Sequence, residues 1–184
     1  KYGVAAEKSF MTGTGNNQPL GLFTASDDGI STGRDVDTAS TDTITGDDFI
    51  EAIHSVKSSY MRNGVWVLNR TVLKAIRKLK DGNGNYIWQP DGQVGRSVVG
   101  GNPATLLDRP YIVSEFAPNA TSSGSYAALF GDMSYYWIAR GDGLRIKLLQ
   151  ELYAATDQVG YRAVASLDAA PQLEEAFVRL KVKS

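Results

Sequence analysis

Between Thr45 and Trp88 the chain strings together a capped helix, a short apolar strand, a second helix and an Asp-Gly turn, and this series limits the fold more than any other stretch. Thr45-Gly46-Asp47-Asp48 has the spacing of a capping box, with Asp in place of the usual Glu. Asp47, Asp48 and Glu51 put negative charge on the first turn, where the helix dipole favours it. Phe49, Ile53, Val56 and Tyr60 recur at helical spacing, which predicts a helix over 47–63 with one apolar face. Lys57 and Arg62 suit its C-terminal part, and Gly64 reads as the C′ residue that ends it. Val65-Trp66-Val67-Leu68 is a continuous apolar run, the pattern of a strand covered on both faces. Asn69 is placed to cap a second helix over 71–80, with Val72, Leu73, Ile76 and Leu79 facing inward. Asp81-Gly82-Asn83-Gly84-Asn85 turns the chain, and Tyr86-Ile87-Trp88 reads as the next strand.

After Trp88, short apolar runs alternate with turn residues: Ile112-Val113, Tyr126 to Phe130, Tyr135 to Ala139, Leu144 to Leu149, Tyr161 to Ala165 and Ala176 to Val182. These read as strands, the last with Phe177, Arg179 and Lys181 on one face and Val178, Leu180 and Val182 on the other. Helices early and strands late predict an α+β fold, with helices flanking a central, mostly antiparallel sheet. Ser26 to Thr43 is rich in Asp, Ser, Thr and Gly with almost no large apolar residue, so it is expected to be a surface loop or irregular linker with partial order.

A chain of 184 residues, 42% hydrophobic, is long enough for one sizeable core and a small second lobe. Its formal net charge of −1 argues against a strongly basic nucleic-acid binder. Without cysteine there is no disulfide framework, thiolate metal site or thiol nucleophile. No apolar run approaches the roughly 20 residues needed to span a bilayer, and no membrane partner is expected.

The enzyme readings fail on their constellations. His54 is the single histidine, beside the apolar stripe of the first helix, and reads as a partly buried or boundary residue, because a general base needs a nucleophile and an orienting partner as well. No Gly-x-Ser-x-Gly elbow is present. Asp27-Asp28-Gly29 and Asp35-Val36-Asp37 could offer carboxylates to Ca²⁺ or Mg²⁺, but the twelve-position ligand pattern is absent, and a solvated acidic loop is the simpler reading. Gly13-Thr14-Gly15 lacks the Gly-Lys-Ser/Thr of a phosphate loop, and Pro19 follows where a helix would start, so it reads as a turn needing positive φ. The adjacent pairs Asp47-Asp48 and Glu174-Glu175 point in different directions and form no acid/base pair. No catalytic, metal or cofactor residue is assigned. Arg70, Lys74, Arg77, Lys78 and Lys80 form a basic cluster whose default role is a solvated helix face, with salt bridges to acidic surfaces of neighbouring copies as the second use.

Four segments, in order, carry a resemblance: Phe10-Met-Thr-Gly-Thr-Gly15 with Gln18-Pro19-Leu-Gly21; Val65 to Asn69 with Leu79-Lys-Asp-Gly82 and Tyr86; Val99-Gly-Gly-Asn-Pro103 with Pro110; and Phe130-Gly-Asp132 with Tyr136-Trp-Ile138 and Arg140-Gly141, read as a hairpin. Together they resemble the major capsid proteins of tailed bacteriophages, the fold shared with encapsulin shells. The resemblance implies a phage or prophage shell subunit that closes hexamers and pentamers of an icosahedral capsid around double-stranded DNA, with no cofactor. Scaffold and portal proteins are the implied partners, and the virion capsid is the implied location, after synthesis in the bacterial host cytoplasm.

The opening, Lys1 to Met11, lacks an initiator Met and reads like the tail of a longer helix, so a fragment is expected, with the peripheral domain largely missing. The resemblance implies a remnant of that domain at 1–22, an axial domain at 23–148, strands returning to the peripheral domain at 149–166 and an axial C-terminal strand at 167–184. It also makes the loops Asp91 to Arg96 and Asn119 to Ser125, with the segment before Pro103, candidates for contacts around the local symmetry axis. Some members of that family cross-link subunits through Lys and Asn, and Asp157 stands near where the asparagine is expected, which puts that chemistry in doubt. Two rivals are carried: an encapsulin-type compartment with the same fold, and a non-catalytic soluble binding module with one apolar pocket.

Overall fold

The computed structural model describes residues 2–41, 43–80, 82–84, 105–119, 122–141, 143–149 and 159–184. The strand read at Tyr86 to Trp88, the loop Asp91 to Arg96, the segment Val99 to Pro103 and Asp157 lie outside the described residues. The α+β expectation holds. In chain order the elements are α1 (Tyr2–Thr12), β1 (Asp35–Asp37), α2 (Gly46–Ser55), α3 (Ser58–Met61), β2 (Val65–Leu68), α4 (Arg70–Arg77), β3 (Thr105–Leu106), β4 (Arg109–Val113), β5 (Tyr126–Gly131), β6 (Tyr136–Arg140), β7 (Arg145–Leu149), β8 (Gly160–Val164), β9 (Leu167–Pro171) and β10 (Phe177–Lys181).

Six strands form the central sheet in the order β1-β10-β5-β2-β4-β3. Pairs β10–β5, β5–β2 and β4–β3 are antiparallel, whereas β1–β10 and β2–β4 are parallel, so the sheet is mixed. Trp66, Leu68, Phe130, Ala128, Val178 and Leu180 share one face and meet Phe49, Ile53 and Val56 of α2 and its C-cap with Val72 and Ile76 of α4. The other face carries Val67, Leu129 and Phe177, covered by Leu22, Phe23 and Ile30 of the segment before β1 and by Ala176. Trp66 is fully buried, with the Phe49 ring edge-on at 5.3 Å and the Phe130 ring at 4.8 Å. Its indole N–H has no hydrogen-bond partner among the described residues.

The capping box forms: the Thr45 N–H and hydroxyl both donate to Asp48 Oδ2, at 2.7 and 2.9 Å, and the Ala39 N–H donates to Oδ1 at 2.9 Å. Asn69 caps α4 by accepting from Thr71 N–H at 2.9 Å, while its amide donates to the carbonyls of Ser114, Glu115 and Ala117. One polar side chain thus fixes both the start of α4 and the chain leaving β4.

Several expectations are corrected. The helix over 47–63 is two helices, because Val56 and Lys57 adopt extended ψ of 138° and 140°. The break lets Val56 enter the core and sends Lys57 to an ion pair with Glu175. Gly64 is absent from the positive-φ glycines, so it is no αL cap; a Cβ there would collide with the Phe130 ring, and close approach is its reason. The second helix ends at Arg77 rather than at 80. His54 is exposed on α2, since it lies about 100° around the helix from buried Ile53. The hairpin read at Phe130 to Gly141 does not form: Asp132 accepts from Ser134 N–H, a 3-10 turn at Met133–Tyr135 follows, and the chain leaves the sheet to pair β6 with β9.

The acidic segment is corrected too. Residues 26–41 hold a fully buried Ile30, a 3-10 turn at Thr32–Arg34 and the edge strand β1. Local sequence could not announce a three-residue strand reading Asp-Val-Asp; a long-range ion pair places it. Asp35 Oδ1 accepts from Arg179 Nε at 2.7 Å and from Nη2 at 2.6 Å, and Oδ2 accepts from the Tyr126 hydroxyl at 3.0 Å. Arg179 Nη2 also donates to Ser31 O at 2.8 Å, and its guanidinium carbon lies 4.7 Å from the centre of the Tyr126 ring. Arg179 is fully buried in the strand that the sequence splits into apolar and charged faces.

At the base of β6, the Tyr136 hydroxyl donates to Leu20 O at 3.0 Å, and its ring stands edge-on to Phe10 of α1. Leu20 N–H donates in turn to Ala169 O of β9. The Gly15 turn does carry positive φ, +79°, while Gly13 and Gly21 are required because a Cβ on either would overlap neighbouring backbone. Burial first, and the Asp168 carboxylate second, raise the Tyr136 phenol far above its ordinary pKa of 10.0.

Three measurements follow from this packing. Replacing Trp66 with Ala is expected to cost about 3–5 kcal/mol in urea unfolding, whereas Trp66→Phe retains most of the stability because the N–H it removes is unpaired. Replacing Asp35 with Ala strands a buried guanidinium and is expected to cost about 3–5 kcal/mol; a loss below about 0.5 kcal/mol would refute its role at the sheet edge. For Tyr136, a raised folded-state pKa means stability that is fully present below pH 10.0 and is lost as pH rises beyond it. Tyr136→Phe should therefore lower stability by about 1–2 kcal/mol near neutral pH and flatten the alkaline decline seen in the parent protein.

Candidate interaction surfaces

Strands β6 to β9 leave the central sheet as a two-stranded ribbon. β6 pairs with β9 and β7 with β8, and Gly141 N–H donates to Ser166 O between the two paired stretches. Alternation sorts the outer half of this ribbon by chemistry. Ile146 lies opposite Ala163, and Leu148 opposite Tyr161, with Leu144 and Val159 in the same alternating rows. This face is apolar and open, Tyr161 being 74% and Leu144 67% exposed. The reverse face carries Lys147 opposite Arg162 and Arg145 opposite Val164. A two-stranded ribbon is marginal in water by itself, and one that also exposes a continuous apolar row is a docking surface in waiting.

Only the resemblance implied strands outside the axial domain, at 149–166; the residue pattern marked Leu144 to Leu149 and Tyr161 to Ala165 as strands without showing that they leave the sheet. It missed β9 because Leu167-Asp-Ala-Ala-Pro171 has weak strand propensity, and Pro is acceptable there since each ribbon strand is an edge.

The basic cluster on α4 is a surface. Arg70, Lys74, Arg77 and Lys78 line a groove of about 510 Å³ together with Thr71, Leu73 and the Glu115 carboxylate. Val72 and Ile76 point into the core, as their spacing predicts, and Arg77 donates to the Tyr111 hydroxyl of β4 at 3.4 Å. On the same side of the sheet α2 turns the opposite charge outward: Asp47 and Glu51 are exposed beside Ile50, itself 45% exposed, with His54 one turn on. α2 packs over β10 and β1, whereas α4 is tied to β4 and the residues after it. Acidic and basic helix faces therefore stand over opposite flanks of one sheet.

The remaining sequence candidates stay apart. Asp35 is engaged by Arg179, away from Asp27 and Asp28, and no group of three metal-ligating side chains occurs among the described residues. Hydrogen bonding to the Ser31 side chain first, and to the Ser31 N–H second, holds the Glu174 carboxyl below its usual range, and Glu175 pairs with Lys57. The described part of the Asn119 to Ser125 loop is held at the end of β10, where Gly124 N–H donates to Val182 O and Val182 N–H to Ser125 O.

Comparison with known proteins agrees with this architecture. Among solved structures, the capsid of an empty GTA particle matches with a TM-score of 0.81 at 24% identity, over 100% of this chain and 63% of that one. Gordonia phage Cozz matches at 0.60 and 15% identity, over 98% of this chain and 60% of that one. The holo-SrpI encapsulin complex from Synechococcus elongatus PCC 7942 matches at 0.61 and 16% identity, over 96% and 60%. The chain thus spans about three fifths of the length of these three chains. No curated protein sequence matches it. The profile of the phage capsid family matches residues 1–182, so the chain belongs to the phage capsid family.

Proposed function

We propose that this chain is the greater part of a phage or prophage major capsid protein, whose central sheet and helices act as an axial domain closing hexamers and pentamers of an icosahedral shell around double-stranded DNA. In this reading residues 23–148 and 167–184 supply most of the axial domain, and 149–166 with the remnant at 1–22 belong to a peripheral domain. The observation that carries the reading is the ribbon: its apolar row is exposed among the described residues, and membership of a capsid family supplies a reason for such a surface to exist. No cofactor takes part. Function lies in geometry, since one subunit must close rings of two sizes through heterologous contacts.

Scaffold and portal proteins are the proposed partners, and host cytoplasm the proposed place of synthesis. An encapsulin-type compartment is the second reading, favoured by the fold likeness to the Synechococcus elongatus shell. The contents of purified particles, DNA or protein cargo, separate the two.

Shells need several simultaneous interfaces per subunit, so losing some reduces avidity steeply. Residues 1–184 alone are expected to sediment as a monomer or small oligomer, while the full-length protein, with its scaffold, forms closed particles visible by electron microscopy. A full-length protein that never passes a dimer would instead favour a soluble binding module.

A further inference from the structure

We infer that the α4 groove receives the outer face of α2 from a second copy, so that the basic flank of each central sheet meets the acidic flank of the next. The inference rests on the shell reading and names the partner of a surface that the reading leaves unassigned. Four cations, Arg70, Lys74, Arg77 and Lys78, line the groove, with Leu73 as its apolar lining residue. Asp47 and Glu51 stand exposed one turn apart on α2, with the half-exposed Ile50 beside them, and match the groove in charge.

The placement of the two faces selects the kind of contact. α2 stands over the β10 and β1 flank and α4 over the β4 flank, on the same side of the sheet. An isologous contact through either flank would bring like charges together, whereas a head-to-tail contact pairs opposite charges at every joint and can close a ring. The net charge of −1 on the whole chain gives no basic excess to favour a nucleic-acid backbone as the occupant, and Glu115 in the groove would repel phosphates and carboxylates alike.

The experiment uses the full-length protein in four forms: wild type, Arg70→Glu with Lys74→Glu, Asp47→Lys with Glu51→Lys, and the quadruple variant carrying both reversals. Assembled fraction is read by sedimentation at low and high salt, with thermal melting as the folding control. Each double reversal is expected to lower the assembled fraction about tenfold or more at low salt. The quadruple variant regains it, because its flanks are complementary again, and an equimolar mixture of the two doubles assembles where neither does alone. The interface is overturned if the doubles assemble like wild type, or if wild type assembles and both the quadruple variant and the mixture stay defective. It is also overturned if the α4 reversal abolishes binding to a short DNA duplex and leaves assembly unchanged, which assigns the groove to nucleic acid. A wild-type protein that fails to assemble overturns the shell reading itself, and the inference with it.

Discussion

Burial of Trp66 between Phe49 and Phe130 is the contact on which the architecture depends, because it joins α2, β2 and β5 at one point. β2 lies between β5 and β4 in the sheet, and the helical layer above this face, from α2 and α4, completes the burial of the indole. Gly64, just before the strand, admits the Phe130 ring that any side chain would displace. Burying an aromatic of this size contributes on the order of 3 kcal/mol or more, enough to hold a short four-residue strand in place.

The sheet edge is held differently. β1 is too short and too polar to be placed by burial of its own side chains, and Arg179 places it through charge. A fully buried guanidinium must be compensated: Asp35 and Ser31 O take its Nε and Nη2, the Tyr126 ring lies against it, and Nη1 is left without a hydrogen-bond partner among the described residues. The arrangement converts an acidic loop into a covered edge, which keeps β10 from offering its open hydrogen-bonding groups to other chains.

Function follows from what the core leaves outside. The helices that cover one side of the sheet present opposite charges over opposite flanks, and the ribbon carries an apolar row away from the body. In the proposed reading, the directional flanks would serve ring closure and the exposed row would be buried against further protein. The anchoring of Tyr136 to Leu20 O matters for the same reason, since a ribbon can place a contact only if its base is rigid.

Local sequence determined the capping box at Thr45, the Asn69 cap, the buried run Val65 to Leu68 and the alternating faces of β10, because each depends on spacing within a few residues. The ordered motifs were also enough for the family, since they reflect turns and close approaches that only particular residues permit. Tertiary structure alone decided the rest. It broke the first helix at Val56 so that two apolar side chains could reach one core, and it drew Asp35 into a strand through a partner 144 residues away. It separated β6 from β5 to make the ribbon, and it set the charges of α2 and α4 on opposite flanks. These outcomes depend on long-range pairing and on which faces remain uncovered, and no window of neighbouring residues carries that information.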